Sequence, residues 1–214
     1  ALAPLLPGKT ILDIGCSGGD LVSRMANLKG YEPYGVEISE YAVKNCVPSM
    51  RNRIALADIT TCPKNLVPTV FLKSAGELTT IHPVRGFAKT WPKTFDIVMS
   101  TDLLEHIYAE DLDKTFDWII SKTNKFMFFL VAVTDGEEFV HKKGEEVPLR
   151  WQTTAVSGHV NVRNWRYWVK YFTEKSLKVR WDLGYLFQMA RERDPGLKAT
   201  GGWNMPSTWI LEKK

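Results

Sequence analysis

Thr10-Ile11-Leu12-Asp13-Ile14-Gly15-Cys16-Ser17-Gly18-Gly19-Asp20 is the stretch on which the reading of this 214-residue chain turns. Ile11, Leu12 and Ile14 read as a short buried strand, Gly15, Gly18 and Gly19 permit a sharp turn, and Leu21, Val22, Met25 and Leu28 recur at helical spacing. A strand, a glycine turn and a helix start offer bare backbone N–H groups to a ligand. Glycine suits such a turn because it tolerates positive φ and has no side chain to hold the ligand away.

The next strand, Glu32 to Ile38, ends in Glu37, 22 positions past Gly15. An acid at about that distance is placed to accept hydrogen bonds from ribose hydroxyls. A dinucleotide fingerprint starting at Gly15 needs glycine at Ser17 and Asp20 and fails at both, and no phosphate-cradling G-x-x-x-x-G-K-[ST] occurs in the chain. Asp13, a carboxylate at the strand end, repels phosphate and suits a cationic ligand. S-adenosylmethionine is such a ligand, with a sulfonium, an ammonium and a ribose but no phosphate.

At this point the residues resemble a family. Asp13 to Gly19 is similar to the first motif of the class I S-adenosylmethionine-dependent methyltransferases, although Ser17 stands where glycine is commoner. Glu37 resembles their second-strand acid, Ala57-Asp58-Ile59 the segment flanking the adenine, and Phe95 to Ile107 the fourth-strand motif of their small-molecule branch. The resemblance is good over roughly residues 8 to 134 and holds only in outline beyond. It implies a Rossmann-like α/β fold: a mostly parallel seven-stranded sheet flanked by helices, with an antiparallel pair at the C-terminal edge, in one domain over residues 1–214. It also implies S-adenosylmethionine as cofactor, held by Asp13, Gly15, Cys16, Ser17, Gly18, Gly19, Glu37, Ile38, Asp58, Ile59, Thr101 and Asp102.

An apolar content of 44% can fill one sizeable core. No apolar run approaches the roughly 20 residues of a membrane span, and no cleavable leader is readable. The chain opens Ala1-Leu2-Ala3-Pro4 without methionine, so its true start is expected to be missing or trimmed. Cys16, Cys46 and Cys62 show no C-x-x-C spacing, which argues against disulfides or zinc and for a reducing, cytoplasmic setting. Cys16 is expected to pack beneath the turn. A net charge of +4 permits acidic or nucleic-acid partners without requiring them.

Along the chain, the first helix is expected to run to about Lys29, and a short one from an N-cap at Ser39 to about Asn45. A third strand spans Arg53 to Ala57. Residues 59 to 94, 36 in all, are too many for an unstructured loop in a compact domain. Val70 to Leu72 and Leu78 to Ile81 suggest an inserted hairpin, either a lid or decoration. A strand over Phe95 to Met99, a helix over Asp111 to Lys122 and a strand over Phe126 to Val133 follow. The alternation of strand and helix argues for a parallel sheet wrapped by helices. Six of the eight tryptophans lie at or after Trp151. A helix is expected over Arg163 to Lys175, burying Trp165, Trp168, Val169 and Phe172, then edge strands over Lys178 to Leu183 and Ser207 to Leu211.

For chemistry, His106 follows the fourth strand beside Glu105, and His159 sits in a glycine-containing loop after the fifth strand. Either histidine can serve as a general base or orient an acceptor, with His159 the better placed; the alternatives are a residue that merely shapes the site and a plain turn histidine. His82 and His141 lack an acidic or histidine partner at ligand spacing, so no metal site is expected. Arg163, Arg166, Lys170 and Lys175, interleaved with Trp165, Tyr167 and Trp168, form either a nucleic-acid-binding stripe or the solvated face of an amphipathic helix. The favoured activity is methyl transfer to an oxygen or nitrogen of a small metabolite or glycan. An RNA or other nucleic-acid methyltransferase and a catalytically silent binding protein of the same fold are the alternatives.

Overall fold

The computed structural model describes residues 6–28, 30–74, 77–81, 91–149, 158–193 and 207–214. In chain order these form β1 (Thr10–Ile14), α1 (Asp20–Ala26), β2 (Glu32–Glu37), α2 (Glu40–Lys44), β3 (Ile54–Leu56), β4 (Val70–Ser74), β5 (Glu77–Ile81) and β6 (Phe95–Thr101). There follow α3 (Ala109–Lys122), β7 (Thr123–Leu130), β8 (Val133–Thr134), β9 (Phe139–Val140), β10 (Asn161–Asn164), α4 (Trp165–Glu174), β11 (Leu177–Val179), α5 (Trp181–Arg193) and β12 (Thr208–Lys213).

Seven strands make one sheet in the order β11-β12-β7-β6-β1-β2-β3. From β3 across to β7 all neighbours are parallel, and β12 runs antiparallel to both β7 and β11. The chain winds outward from β1 through β2 to β3, then crosses to the other side of β1 to form β6. Strand order therefore reverses between β1 and β6, and a crevice opens beyond their carboxyl ends. The inserted hairpin is present as β4 and β5, paired with each other and outside the main sheet.

Helices cover both faces, which is why β7 reads as a nearly unbroken apolar run. Met127 and Phe129 point into a core with Phe116 of α3, Trp168 and Phe172 of α4, and Trp209 of β12. Phe126, Phe128 and Leu130 point the other way, against Phe187 of α5, with Met25 of α1 packed on the same cluster. Phe172 lies 5.4 Å from Trp209 and 5.6 Å from Trp168 between ring centroids, so these three aromatics of the last third belong to the core. No helix among the described residues is long and apolar enough to cross a membrane.

Several expected boundaries move. α1 stops at Ala26 rather than Lys29, with Asn27 as its C-cap. α4 begins at Trp165 because the Asn164 side chain caps it by accepting from the Arg166 N–H, while Arg163 and Asn164 pair with Val133 and Thr134. The expected strand to Leu183 ends at Val179, and Trp181 onward is helix α5, not strand. Arg180 makes the last sheet-side bond, donating its N–H to Ile210 O, and its carbonyl then accepts the Gly184 N–H to open the helix.

The glycine turn is fastened to the sheet from below. The N–H groups of Gly15 and Cys16 both donate to Val36 O, at 2.8 and 3.2 Å. Cys16 is buried against Gly35 of β2, where an added Cβ would lie 2.4 Å from Cys16 Sγ and 2.9 Å from Cys16 Cβ. Gly35→Ala is therefore expected to destabilise the fold by about 1–3 kcal/mol, the usual cost of overpacking. Cys16→Ala should restore part of that loss in the double variant, measured by urea unfolding of all four members of the cycle.

Candidate functional site

The turn after β1 presents backbone to open space. Gly15 and Gly19 take φ of +76° and +82°, and Ser17 takes the left-handed region at +49°. A Cβ on Gly18 would meet no atom within 4 Å, whereas one on Gly19 would strike Ile54 Cδ1 at 2.6 Å. Gly18 thus faces open space, while Gly19 is glycine because α1 must sit tight on β3. Cys16 lies under the loop, and burial, followed by the carboxylates of Asp13 and Glu37, pushes its thiol far up, which leaves it unreactive.

Two carboxylates line the strand ends beside this loop. Glu37 accepts from the N–H groups of Ser17 and Ser39, each at 2.8 Å, one on each oxygen. Those bonds orient the carboxylate and leave half of its roughly four acceptor positions for a ligand. Asp13 is 3% exposed, and burial, reinforced by the charge of Glu37, raises its pKa to about 7. Among the described residues neither forms an ion pair. A cation entering here would relieve the repulsion between them.

The other expected contacts divide. Ile38 is 66% exposed at the open end of β2, with its side chain free to cover a ligand. Asp58 caps the turn that follows it, Oδ1 accepting from Thr60 N–H and Thr60 Oγ1 at 2.8 and 2.7 Å. Ile59 is buried in the main core rather than lining open space. Thr101 is half-buried, and Asp102 is exposed at φ +55° just past β6.

Both candidate histidines meet. Their rings stand 4.8 Å apart at 75°, and His106 Nδ1 lies 2.9 Å from Gly158 O. The backbone around His159 is tied to the turn that carries His106: Val160 N–H donates to Glu105 O and His141 N–H to Val160 O, both at 2.8 Å. Burial, then repulsion from His106, holds the His159 imidazole below its usual pKa, with Asp102 opposing, so the ring is neutral at pH 7. Glu105 beneath them is fully buried; desolvation chiefly raises its pKa to about 7. A Cβ on Gly15 would touch Leu103 Cδ1 at 3.5 Å, so the two halves of the site lie side by side across the crevice.

The small sheet β8-β10-β9 that delivers His159 went unforeseen, because strands of two to four residues leave no readable periodicity. His141 is buried against Phe139 and Tyr108 as a packing residue. His82 lies outside the described residues. The basic stripe is largely paired: Arg163 with Glu138, Lys170 with Glu174, and Lys175 with Asp113 and Asp117, while Arg166 stacks on Trp165 at 4.6 Å.

A methyltransferase-domain profile matches residues 1–183. The chain belongs to that family. With its sheet order and glycine turn it is a class I S-adenosylmethionine-dependent methyltransferase fold. Solved structures of similar fold include the Haloferax volcanii complex between a methyltransferase activator and its methyltransferase partner, with TM-score 0.54, 15% identity, and coverage of 83% of this chain and 65% of that one. Coclaurine N-methyltransferase bound to N-methylheliamine gives 0.53 and 19%, covering 81% and 44%. An O-methyltransferase of a Brevibacillus brevis polyketide synthase multienzyme, bound to S-adenosyl-L-homocysteine, gives 0.51 and 13%, covering 96% and 65%. The chain thus spans 44% to 65% of the length of these structures. No curated protein matches the sequence.

Asp13 carries a sign that can be checked. Its folded pKa of about 7 exceeds the ordinary 3.8, so between those values it keeps a proton in the folded state that the unfolded chain has lost. Stability of the free protein should therefore fall as pH rises from about 4 to about 7 and level off above. Asp13→Asn should flatten that slope in urea midpoints measured across the same range, leaving the contributions of Glu105, of the same sign, and of His159, of the opposite sign.

Proposed function

We propose that this methyltransferase moves the methyl group of S-adenosylmethionine to an oxygen or nitrogen of a small metabolite or glycan, within one domain spanning residues 1–214. The observation that carries this reading is the meeting, at the β1–β6 reversal, of an open glycine turn and a pair of histidines, with Leu103 against Gly15 between them. The bare loop at Gly18 and the acids Asp13 and Glu37, which form no ion pair among the described residues, suit a ligand that is cationic, carries ribose hydroxyls and lacks phosphate. Bound there, the cofactor supplies an electrophilic methyl on a sulfonium.

In this reading Glu37 holds the ribose hydroxyls, Asp13 favours the positive end, Ile38 covers the adenine, and Asp58 meets the adenine amine with the oxygen its cap leaves free. Loop residues Gly15 to Gly19 contact the ligand through backbone, with Cys16 and Ile59 supporting from beneath, and Thr101 and Asp102 close the side toward the acceptor. The chain mainly positions the acceptor for an in-line displacement, which alone can remove roughly 7–11 kcal/mol of the barrier at best. His159, neutral and half-exposed, takes the acceptor's proton as it leaves, and His106 orients it. The acidic partners along α4 favour a solvated helix face over a nucleic-acid stripe. Free thiols at Cys16, Cys46 and Cys62 fit a reducing compartment such as the cytoplasm.

Glu37→Ala should weaken S-adenosylmethionine binding by about 1.5–3 kcal/mol, the worth of a hydrogen bond to a charged acceptor. Calorimetry on the folded variant checks it, and unchanged affinity would refute the assignment. His159→Ala should lower turnover roughly 10²- to 10⁴-fold while cofactor affinity holds. Near-normal turnover of that variant would pass the role to His106.

A further inference from the structure

Glu105, His106 and His159 each offer one ligand-capable atom, and these three atoms lie within 4.8 Å of one another. Three observations show that this cluster is built rather than incidental. Glu105 is 0% exposed; its Oε1 accepts from Ala132 N–H at 3.0 Å, but its Oε2 is buried with no hydrogen-bond partner among the described residues. A fold rarely leaves a buried carboxylate oxygen unmatched unless something else meets it. The second observation concerns His106: Gly158 O can only accept, so Nδ1 carries the proton and the lone pair sits on Nε2. A backbone carbonyl on the far nitrogen is the arrangement that fixes the tautomer of a metal-ligating imidazole. Finally, His159 is carried on backbone stitched to Glu105 itself through Val160 N–H, so all three groups are fixed by one short network.

We infer that Glu105 Oε2, His106 Nε2 and a ring nitrogen of His159 form a binding site for one divalent first-row transition cation of the zinc or cobalt kind. Two imidazoles and one carboxylate suit such an ion, whereas magnesium and calcium prefer all-oxygen shells. Metal–nitrogen bonds of about 2.0–2.1 Å put neighbouring ligand atoms roughly 3–3.4 Å apart, so small side-chain rotations close the observed triangle. Three protein ligands leave a coordination position open toward the crevice.

That open position gives the ion a task, which, unlike the site itself, rests on the methyl-transfer reading. An acceptor hydroxyl bound there becomes more acidic and gives its proton to solvent. Its oxygen then forms a bond to the methyl carbon as the carbon–sulfur bond breaks, and that electron pair remains on sulfur, cancelling the sulfonium charge. The acceptor class narrows to a hydroxyl, and His159 acts as ligand rather than base.

The test is direct titration of metal-stripped full chain with Co²⁺, followed by its visible absorption, then displacement by Zn²⁺. One saturable Co²⁺ equivalent per chain, displaced by Zn²⁺ and indifferent to Mg²⁺ and Ca²⁺, is expected. His159→Ala, His106→Ala and Glu105→Gln should each lower the Co²⁺ affinity at least about 10-fold. S-adenosylmethionine calorimetry on the same variants reports whether each is folded. Absence of a saturable equivalent, or binding indifferent to all three substitutions in variants that still bind cofactor, overturns the site. Stoichiometric metal binding in a chain that does not bind S-adenosylmethionine leaves the site standing and removes the methyl-transfer reading. Cofactor binding without metal does the reverse and returns His159 to the role of base.

Discussion

Strand β1 is hydrogen-bonded on both sides, to β2 and to β6, and no later element could take its place. The chain leaves it in one direction and returns on the other, so the segments after β1 and after β6 are forced to be neighbours despite being far apart in sequence. Everything chemical follows from that adjacency. The glycine turn hangs from β1, anchored by two N–H groups on Val36 O, and the Leu103–His106 turn hangs from β6. Ser100 Oγ donates to Ile14 O at 2.8 Å, tying the two strand ends together immediately below the site.

The site is acidic before any ligand arrives. Asp13 and Glu37 are both buried without a counter-charge among the described residues, and Glu105 is a third buried carboxyl across the crevice. Burial without pairing is unfavourable and raises the pKa of Asp13 and Glu105 alike to about 7. Under the proposed reading, a cationic or hydroxyl-bearing ligand entering at these positions offsets that cost. Structural carboxylates elsewhere behave differently: Asp182, chelated by Arg180, is held down at about 2, as a surface ion pair should be.

Within the tryptophan-rich last third, Trp168 and Trp209 serve the core. Trp168 and Phe172 of α4 interlock with Phe116 of α3, Phe129 of β7 and Trp209 of β12, so α3 and α4 seal one face of the sheet. The contribution of this region to the site comes instead from the three residues before β10. Gly158 at φ +81° allows the close approach, since a Cβ there would lie 3.0 Å from His106 Nδ1. The same glycine supplies the carbonyl that fixes the His106 tautomer.

The sequence by itself determined the strand-turn-helix at Thr10 to Ala26, the acid at Glu37, the Ser39 cap, the hairpin in the insertion and the parallel alternation that makes the sheet. These are legible because periodicity, turn glycines and caps act over a few residues, and the family motifs fall on them. The run from Lys178 misled because β-branched and aromatic residues fit either state; packing of Phe187 against Phe128 decided for helix. The tertiary structure alone decided that Asp58 is a cap, that Ile59 belongs to the core and that Glu105 is wholly buried, with one oxygen lacking a partner among the described residues. It alone brought His106 within bonding distance of a carbonyl 52 residues away and set His159 beside it. No local pattern encodes such a meeting, because it depends on how three short strands pair outside the main sheet.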